Sequence, residues 1–283
     1  MQHFLCVTCG TQFAASATPP SNCPICEDER QYIGAGGQRW TMMAELGSER
    51  QNELREVEAG LVGIGTTPSF AIGQRALLVQ TPGGNILWDC LSLLDDPTIA
   101  AVRALGGIRA IAISHPHYFA AMVEWAHAFD APIYLHAAER EWVMRPDPAV
   151  TFWDGETHDL GDGLTLIRCG GHYAGGQVLH WSAGADGSGV LLTGDILQVV
   201  SDRRHLSFMY SYPNLIPLPV ASVQRIVAAV EPFAFDRIYG AWWDRIIPTG
   251  AKEAVARSAE RYIAAIEGRL PNIRVQLAAD QAM

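Results

Sequence analysis

The chain has 283 residues, 49% of them hydrophobic and 18% charged. That balance supplies a core for one large α/β unit plus a small module and excludes a disordered chain. A net charge of -10 argues against nucleic acid or an anionic membrane as the main partner; the only adjacent basic pair, Arg203-Arg204, reads as a solvated turn. No apolar run approaches the roughly 20 residues needed to span a bilayer. The opening Met1-Gln2-His3-Phe4-Leu5-Cys6 has no basic start and no long apolar stretch, so it is not read as a signal peptide. Four of the six cysteines fall in CxxC pairs, which suits metal binding in a reducing compartment better than disulfides. The expected location is the cytoplasm, and the expected partner is a small-molecule substrate.

The chain begins with Cys6-Val7-Thr8-Cys9-Gly10, and Cys23-Pro24-Ile25-Cys26 follows with thirteen residues between the two pairs. This spacing predicts a tetrahedral four-thiolate site on Cys6, Cys9, Cys23 and Cys26. So short a segment buries too little to fold without a staple. The knuckle resembles rubredoxin-like and rubrerythrin-type modules as well as zinc ribbons. Zinc would make it structural and iron a one-electron carrier; zinc is preferred, since nothing else in the chain calls for electrons. Gly34-Ala35-Gly36-Gly37 reads as a linker, which divides the chain into a four-cysteine module, 1–35, and a main domain, 36–283.

Beyond the linker, Trp40 to Glu58 is polar and predicts only a short helix near Met42–Leu46. Leu61–Gly65, Arg75–Gln80 and Ile86–Trp88 predict strands, with Asp89 read as structural and Cys90 as a buried thiol. Asp96 as N-cap and Pro97 at the first position open a helix that stops at Gly106-Gly107. Helical spacing continues from Tyr118 to Phe129, then a strand Pro132–His136 and a short helix Ala137–Met144. Leu164–Cys169, Gln177–Ser182 and Val190–Thr193 predict successive strands. Phe208–Pro219, aromatic and proline-rich, is either a packed surface loop or a wall of a substrate pocket. A helix Val220–Val230, a strand Asp236–Trp242 and a helix Lys252–Ile266 complete the chain.

The chemistry centres on Ile111-Ala112-Ile113-Ser114-His115-Pro116-His117. A buried strand runs out into a loop with two imidazoles two residues apart, able to reach one cation. Gly171-His172 and Gly194-Asp195 each follow a strand-like run further on. This ordered set resembles the metallo-β-lactamase superfamily, whose motif begins Thr/Ser-His-x-His-x-Asp-His and continues with Gly-His and Gly-Asp. The resemblance covers about residues 60–245 and implies an αββα sandwich. It implies metal ligation by His115, His117, His172 and Asp195, and glyoxalase-II-like members suggest an ester or thioester substrate. The family's Asp-His falls here on Phe119 and Ala120, and no His lies beyond His205 to supply its last ligand. The resemblance therefore implies that the three-histidine site is kept and the second metal site lost.

Three imidazoles with an open fourth position form the pattern of a catalytic zinc site; iron is the other candidate metal. The expected activity is mononuclear, metal-dependent hydrolysis, with His115, His117, His172 and Asp195 as the catalytic set. Asp195 is either a fourth ligand or the base that accepts a proton from water. Two other classes remain open: a redox protein with iron in the knuckle and in the main domain, resembling flavodiiron proteins in its modules, and a non-catalytic binding protein. Tyr118 and Tyr173 read as packing residues or oxyanion donors, and Glu139 as a possible replacement carboxylate. His127 and His180 read as structural or surface groups, while His136, His158, His205 and Cys169 belong to no constellation.

Overall fold

The architecture comes from a computed structural model that describes residues 1–270; the end of the expected 36–283 unit lies outside the described residues. At the N-terminus β1 (Phe4–Cys6) pairs antiparallel with β2 (Trp40–Met42), Cys6 opposite Trp40. Between them α1 (Pro24–Glu27) is a single turn with proline in its first position. This segment packs on the rest of the chain: Gln12 N donates to Ala120 O at 2.9 Å, and Ser92 Oγ donates to Gly10 O at 2.8 Å.

The polar stretch after β2 holds its short helix, α2 (Met43–Glu49), and also an eight-residue strand, β3 (Gln51–Glu58), which the sequence pattern does not signal. β3 is an edge strand bonded only to β4 (Leu61–Thr67). It can be charged on both faces, as edge strands that must resist pairing with other chains often are. Next come β5 (Arg75–Val79), β6 (Ile86–Trp88) and α3 (Asp96–Ala104). The cap of α3 is Asp95 rather than Asp96: its Oδ1 accepts from Thr98 N at 2.9 Å, and Pro97 occupies the second helical position. After β7 (Ala110–Ala112), Pro116–Tyr118 forms one 3₁₀ turn and Ala120 sits at φ 46°. The expected Tyr118–Phe129 helix therefore begins only at α4 (Met122–Phe129). Residues Ala137–Trp142, after β8 (Ile133–His136), are 3₁₀ rather than α. β9 (Val150–Trp153) then completes a seven-stranded sheet, β3 to β9 in spatial order, antiparallel up to β6 and parallel beyond.

A second sheet follows from β10 (Thr157–Gly161), β11 (Leu164–Arg168), β12 (Gln177–Trp181) and β13 (Val190–Gly194). Two short hairpins come next. One is β14 (Gln198–Val199) with β15 (Leu206–Ser207), the other β16 (Met209–Ser211) with β17 (Ile216–Pro217). The chain ends in α5 (Val220–Val230), β18 (Arg237–Gly240), β19 (Ile246–Ile247) and α6 (Ala251–Ile266). β18 joins β13 in parallel, giving the order β10-β11-β12-β13-β18-β19.

Alternation along the strands sets the layers. In β5, Ala76 and Leu78 face a core shared with α3 and α4, whereas Leu77 and Val79 face the other sheet. In β13, Leu191 faces α5 and α6, whereas Val190 and Leu192 face the first sheet. Each central strand is thus apolar on both faces, as in a sheet covered on both sides. The result is the expected αββα sandwich. Among the described residues, no helix is long and apolar enough to cross a membrane.

Candidate metal centres

The four cysteines converge. Cys6 and Cys26 Sγ lie 3.5 Å apart, Cys9 and Cys23 Sγ 3.7 Å apart, and all four sulfurs lie within 4.8 Å of one another. A metal–sulfur bond of about 2.3 Å in tetrahedral geometry puts sulfurs about 3.8 Å apart, so the cluster fits zinc or iron without rearrangement. All four thiols are buried, and Gln38 Nε2 donates to Cys6 Sγ at 3.1 Å. Hydrogen bonds from the neighbouring thiols hold Cys6 below the usual thiol range, while Cys9 and Cys26 are driven up by the same contacts. The sulfurs compete for protons, and a cation is what lets all four be thiolates at once.

The second group gathers at one edge of the sandwich. His115 and His117 follow β7, His172 sits between β11 and β12, and Asp195 follows β13. Gln177 ties these loops across the two sheets: its N donates to Ser114 O at 3.0 Å and its Nε2 to Ile113 O at 2.7 Å, and its Oε1 accepts from Trp153 Nε1 at 3.0 Å. Asp89, read as structural, accepts Ser114 N at 2.8 Å. The motif glycines are needed for space. Gly194 has φ 56°, and a Cβ there would lie 2.6 Å from Ser114 Oγ; at Gly171, φ 82°, it would lie 2.7 Å from Ile226 Cδ1.

The three rings form a near-equilateral triangle, each pair of centroids 5.0 Å apart. Each imidazole turns one nitrogen inward and holds the other on a partner, the usual way of fixing a ligand's tautomer. His115 Nδ1 meets Ser114 Oγ at 3.0 Å, His172 Nδ1 donates to Tyr210 O at 2.6 Å, and His117 Nε2 meets Tyr173 Oη at 3.0 Å. Inside the triangle His117 Nδ1 and His172 Nε2 are 3.2 Å apart, close to the roughly 3.3 Å that two nitrogens on one tetrahedral zinc would show. His115 Nε2 lies 3.3 Å from Asp195 Oδ1, and neither atom has a hydrogen-bond partner among the described residues. Two inward-facing, unpartnered buried atoms beside two convergent nitrogens fit a cation.

Burial keeps the imidazoles neutral. His115 and His117 are held well below their usual range by desolvation, then by the nearby His172 and by Arg30; His172 is pushed down to about 4 by burial. Neutral imidazole is the ligating form. Asp195 is pushed up to about 7 by burial, with the Tyr118 hydroxyl opposing the rise. Its carboxyl thus belongs near the inward nitrogens without joining the tight three-histidine group.

A cavity of about 370 Å³ opens on this group, with His117, His172 and Asp195 in its lining. Tyr212 and Pro213 also line it, so the 208–219 segment serves as a pocket wall. Thr8, Gln31 and Tyr32 come from the N-terminal segment and Trp242 from beyond β18. No sequence signal marks Gln31 or Gln198 as pocket residues; both reach the cavity only through chain packing. Phe119 and Ala120 are buried and apolar, offering no donor. Glu139 does not replace them: its Oε1 accepts from Gly175 N instead. His127 pairs with Asp147 at the surface, His205 with Asp202, and His180 Nε2 donates to Ala234 O at 2.7 Å, all away from the cluster.

The profile of the metallo-beta-lactamase superfamily matches residues 71–243. The chain belongs to the metallo-β-lactamase superfamily. The uncharacterized protein YmaE of Bacillus subtilis (strain 168) is 52% identical over 272 residues, covering 95% of this chain and 99% of its own length. The fold is also similar to that of DIM-1 metallo-β-lactamase, solved after exposure to ceftazidime. Its TM-score is 0.55 at 13% identity, over 75% of this chain and 97% of that one. FIM-1 from Pseudomonas aeruginosa in its mono-zinc form gives 0.54 at 17% identity, over 74% and 95%. At such identities the structural likeness speaks for the fold. The superfamily match lies outside the four-cysteine segment.

Proposed function

We propose that this superfamily member is a metal-dependent hydrolase that uses one ion on His115, His117 and His172 to activate water against a small ester- or thioester-like substrate. The observation that carries the reading is the histidine triangle, with one side open to a cavity. Zinc is the proposed metal there and in the knuckle, the cytoplasm the proposed location, and a small molecule the proposed partner. A bound ion supplies a Lewis acid and brings the pKa of water toward neutrality. The side chains do the rest. The three imidazoles stay neutral through burial. Asp195, whose Oδ1 lies 3.3 Å from His115 Nε2 with no hydrogen-bond partner of its own among the described residues, is placed to take a proton from water and release it later. Phe119 and Ala120, buried in the core of the first sheet, offer no further ligand.

The test is a panel of esters, thioesters, lactones and phosphodiesters, run on zinc-loaded wild type and His117→Ala. The expected result is ester or thioester hydrolysis that falls by about 10³-fold in the variant, the several kcal/mol a Lewis acid contributes. Zinc-loaded wild type inert across the panel would favour a binding protein. One observation favours a redox reading. Trp142 packs on the cysteine cluster and meets Tyr173 edge-on at 5.6 Å, and Tyr173 touches His117, so aromatic rings link the two centres. A coloured protein bleached by dithionite would support it; a colourless, zinc-loaded one would rule it out.

A further inference from the structure

We infer that Arg30, carried by the four-cysteine segment, is a positioning residue for the three-histidine centre. The inference rests on the reading that those histidines hold a metal. Its starting point is the turn that follows Cys26. Asp28 N donates to Pro24 O at 3.1 Å and Gln31 N to Asp28 O at 2.9 Å, so the backbone from the second CxxC pair runs through continuous bonds to Arg30. Asp28 grips the guanidinium with both oxygens: Nε donates to Oδ1 at 2.6 Å and Nη2 to Oδ2 at 2.9 Å. This bidentate fork fixes the plane of the guanidinium as well as its charge. From the other side, Asn214 Nδ2 donates to Glu29 O at 2.8 Å and Gln31 O at 3.0 Å, which clamps the backbone on both sides of Arg30.

Held this way, the guanidinium lies 3.8 Å from the centroid of the Tyr173 ring, well within the range of a cation–π contact that gains strength as water is excluded. Trp142 closes on the same ring edge-on. Tyr173 is 1% exposed, and its hydroxyl is the partner of His117 Nε2 at 3.0 Å. Arg30 Nη1 also reaches His172 O at 3.4 Å. One side chain of the N-terminal segment therefore touches the support of His117 and the backbone of His172. Removing it uncovers one face of the ring that keeps His117 Nδ1 aimed at the centre. Outer partners of metal-binding histidines typically matter by about 10- to 100-fold in affinity. On this account the cysteine-bound metal sets the order of the catalytic edge through Asp28 and Arg30.

The experiment uses the full chain. Zinc affinity of the histidine centre is measured by competition with a chelating dye, the centre being assigned by the metal lost in His117→Ala. Arg30→Ala and Tyr173→Phe should each weaken it by about 10-fold or more, with the cysteine-bound metal retained. The double variant should be little worse than the worse single one, because both act on one contact. Arg30→Lys, which can still place a cation over the ring, should recover part of the loss. Should Arg30→Ala not fold, Arg30→Gln makes the same comparison. Unchanged affinity in the Arg30 variants, or losses that multiply in the double variant, would overturn the inference. Equal metal content in wild type and His117→Ala would overturn both this inference and the hydrolase reading. A metal-loaded wild type that hydrolyses nothing would overturn only the hydrolase reading.

Discussion

Among the described residues, the four-cysteine and three-histidine groups are both buried, and the second lines a cavity. The cysteines use every donor on one another's neighbourhood and leave no side open, the mark of a structural site. The histidines spend their outer nitrogens on Ser114, Tyr173 and Tyr210, and their inner ones face a gap shared with Asp195. The difference lies in where the donors come from. Two tight turns of one short segment can close on an ion by themselves. Three loops at the end of a sandwich meet because two sheets and Gln177 hold them in register, and such a meeting leaves one side open to a cavity.

The largest expected effect breaks the closed site. Cys9→Ser should lose one metal per chain and cost on the order of 4 kcal/mol or more of stability in urea unfolding. His117→Ala should cost clearly less, and an equal loss from the two would erase the distinction between staple and open centre. Next comes Gly194→Ala, which forces a Cβ at φ 56° against Ser114. We expect a loss of about 2–4 kcal/mol, with metal affinity falling at the histidines and not at the cysteines. A thermal melt that matches wild type would contradict the close packing drawn for that edge.

The smallest effect concerns Glu139 beneath the Gly175 loop. Burial pushes its carboxyl up to about 7, against the Gly175 N–H that favours the charged form. The folded pKa lies above the usual carboxylate value, so the folded state keeps a proton that the unfolded chain gives up. Stability must then fall as pH rises from about 4.5 to about 7. Glu139→Gln should flatten that slope and be the more stable protein at pH 8, by about 1–3 kcal/mol. Parallel stability–pH curves for the two proteins would show that Glu139 is not buried as described.

Much of this was legible in the chain itself. The CxxC spacing, the His-x-His after an apolar strand and the Gly-His pair pointed to the two donor groups that the fold brings together, because each donor type sits at a strand end or knuckle with its own local pattern. The four-layer sandwich followed from the same motifs. What escaped were contacts that no local pattern encodes. β3 is charged on both faces because it is an edge, and so resembles a loop. Asp95 outcompeted Asp96 as a cap because its carboxylate is the one in reach of Thr98 N. Tyr173 reads as a packing residue until its hydroxyl is seen on His117, and Arg30 carries no signal beyond its place four residues after Cys26.

The central claim is that one chain holds two separate metal centres, one closed and one open. Metal content per chain, measured by mass spectrometry on wild type, Cys9→Ser and His117→Ala, tests it most directly. The account predicts two ions in the wild type and one in each variant, with the histidine variant keeping the cysteine-bound ion. One ion in the wild type that survives His117→Ala would contradict it, leaving the histidine triangle as a packed edge of the fold.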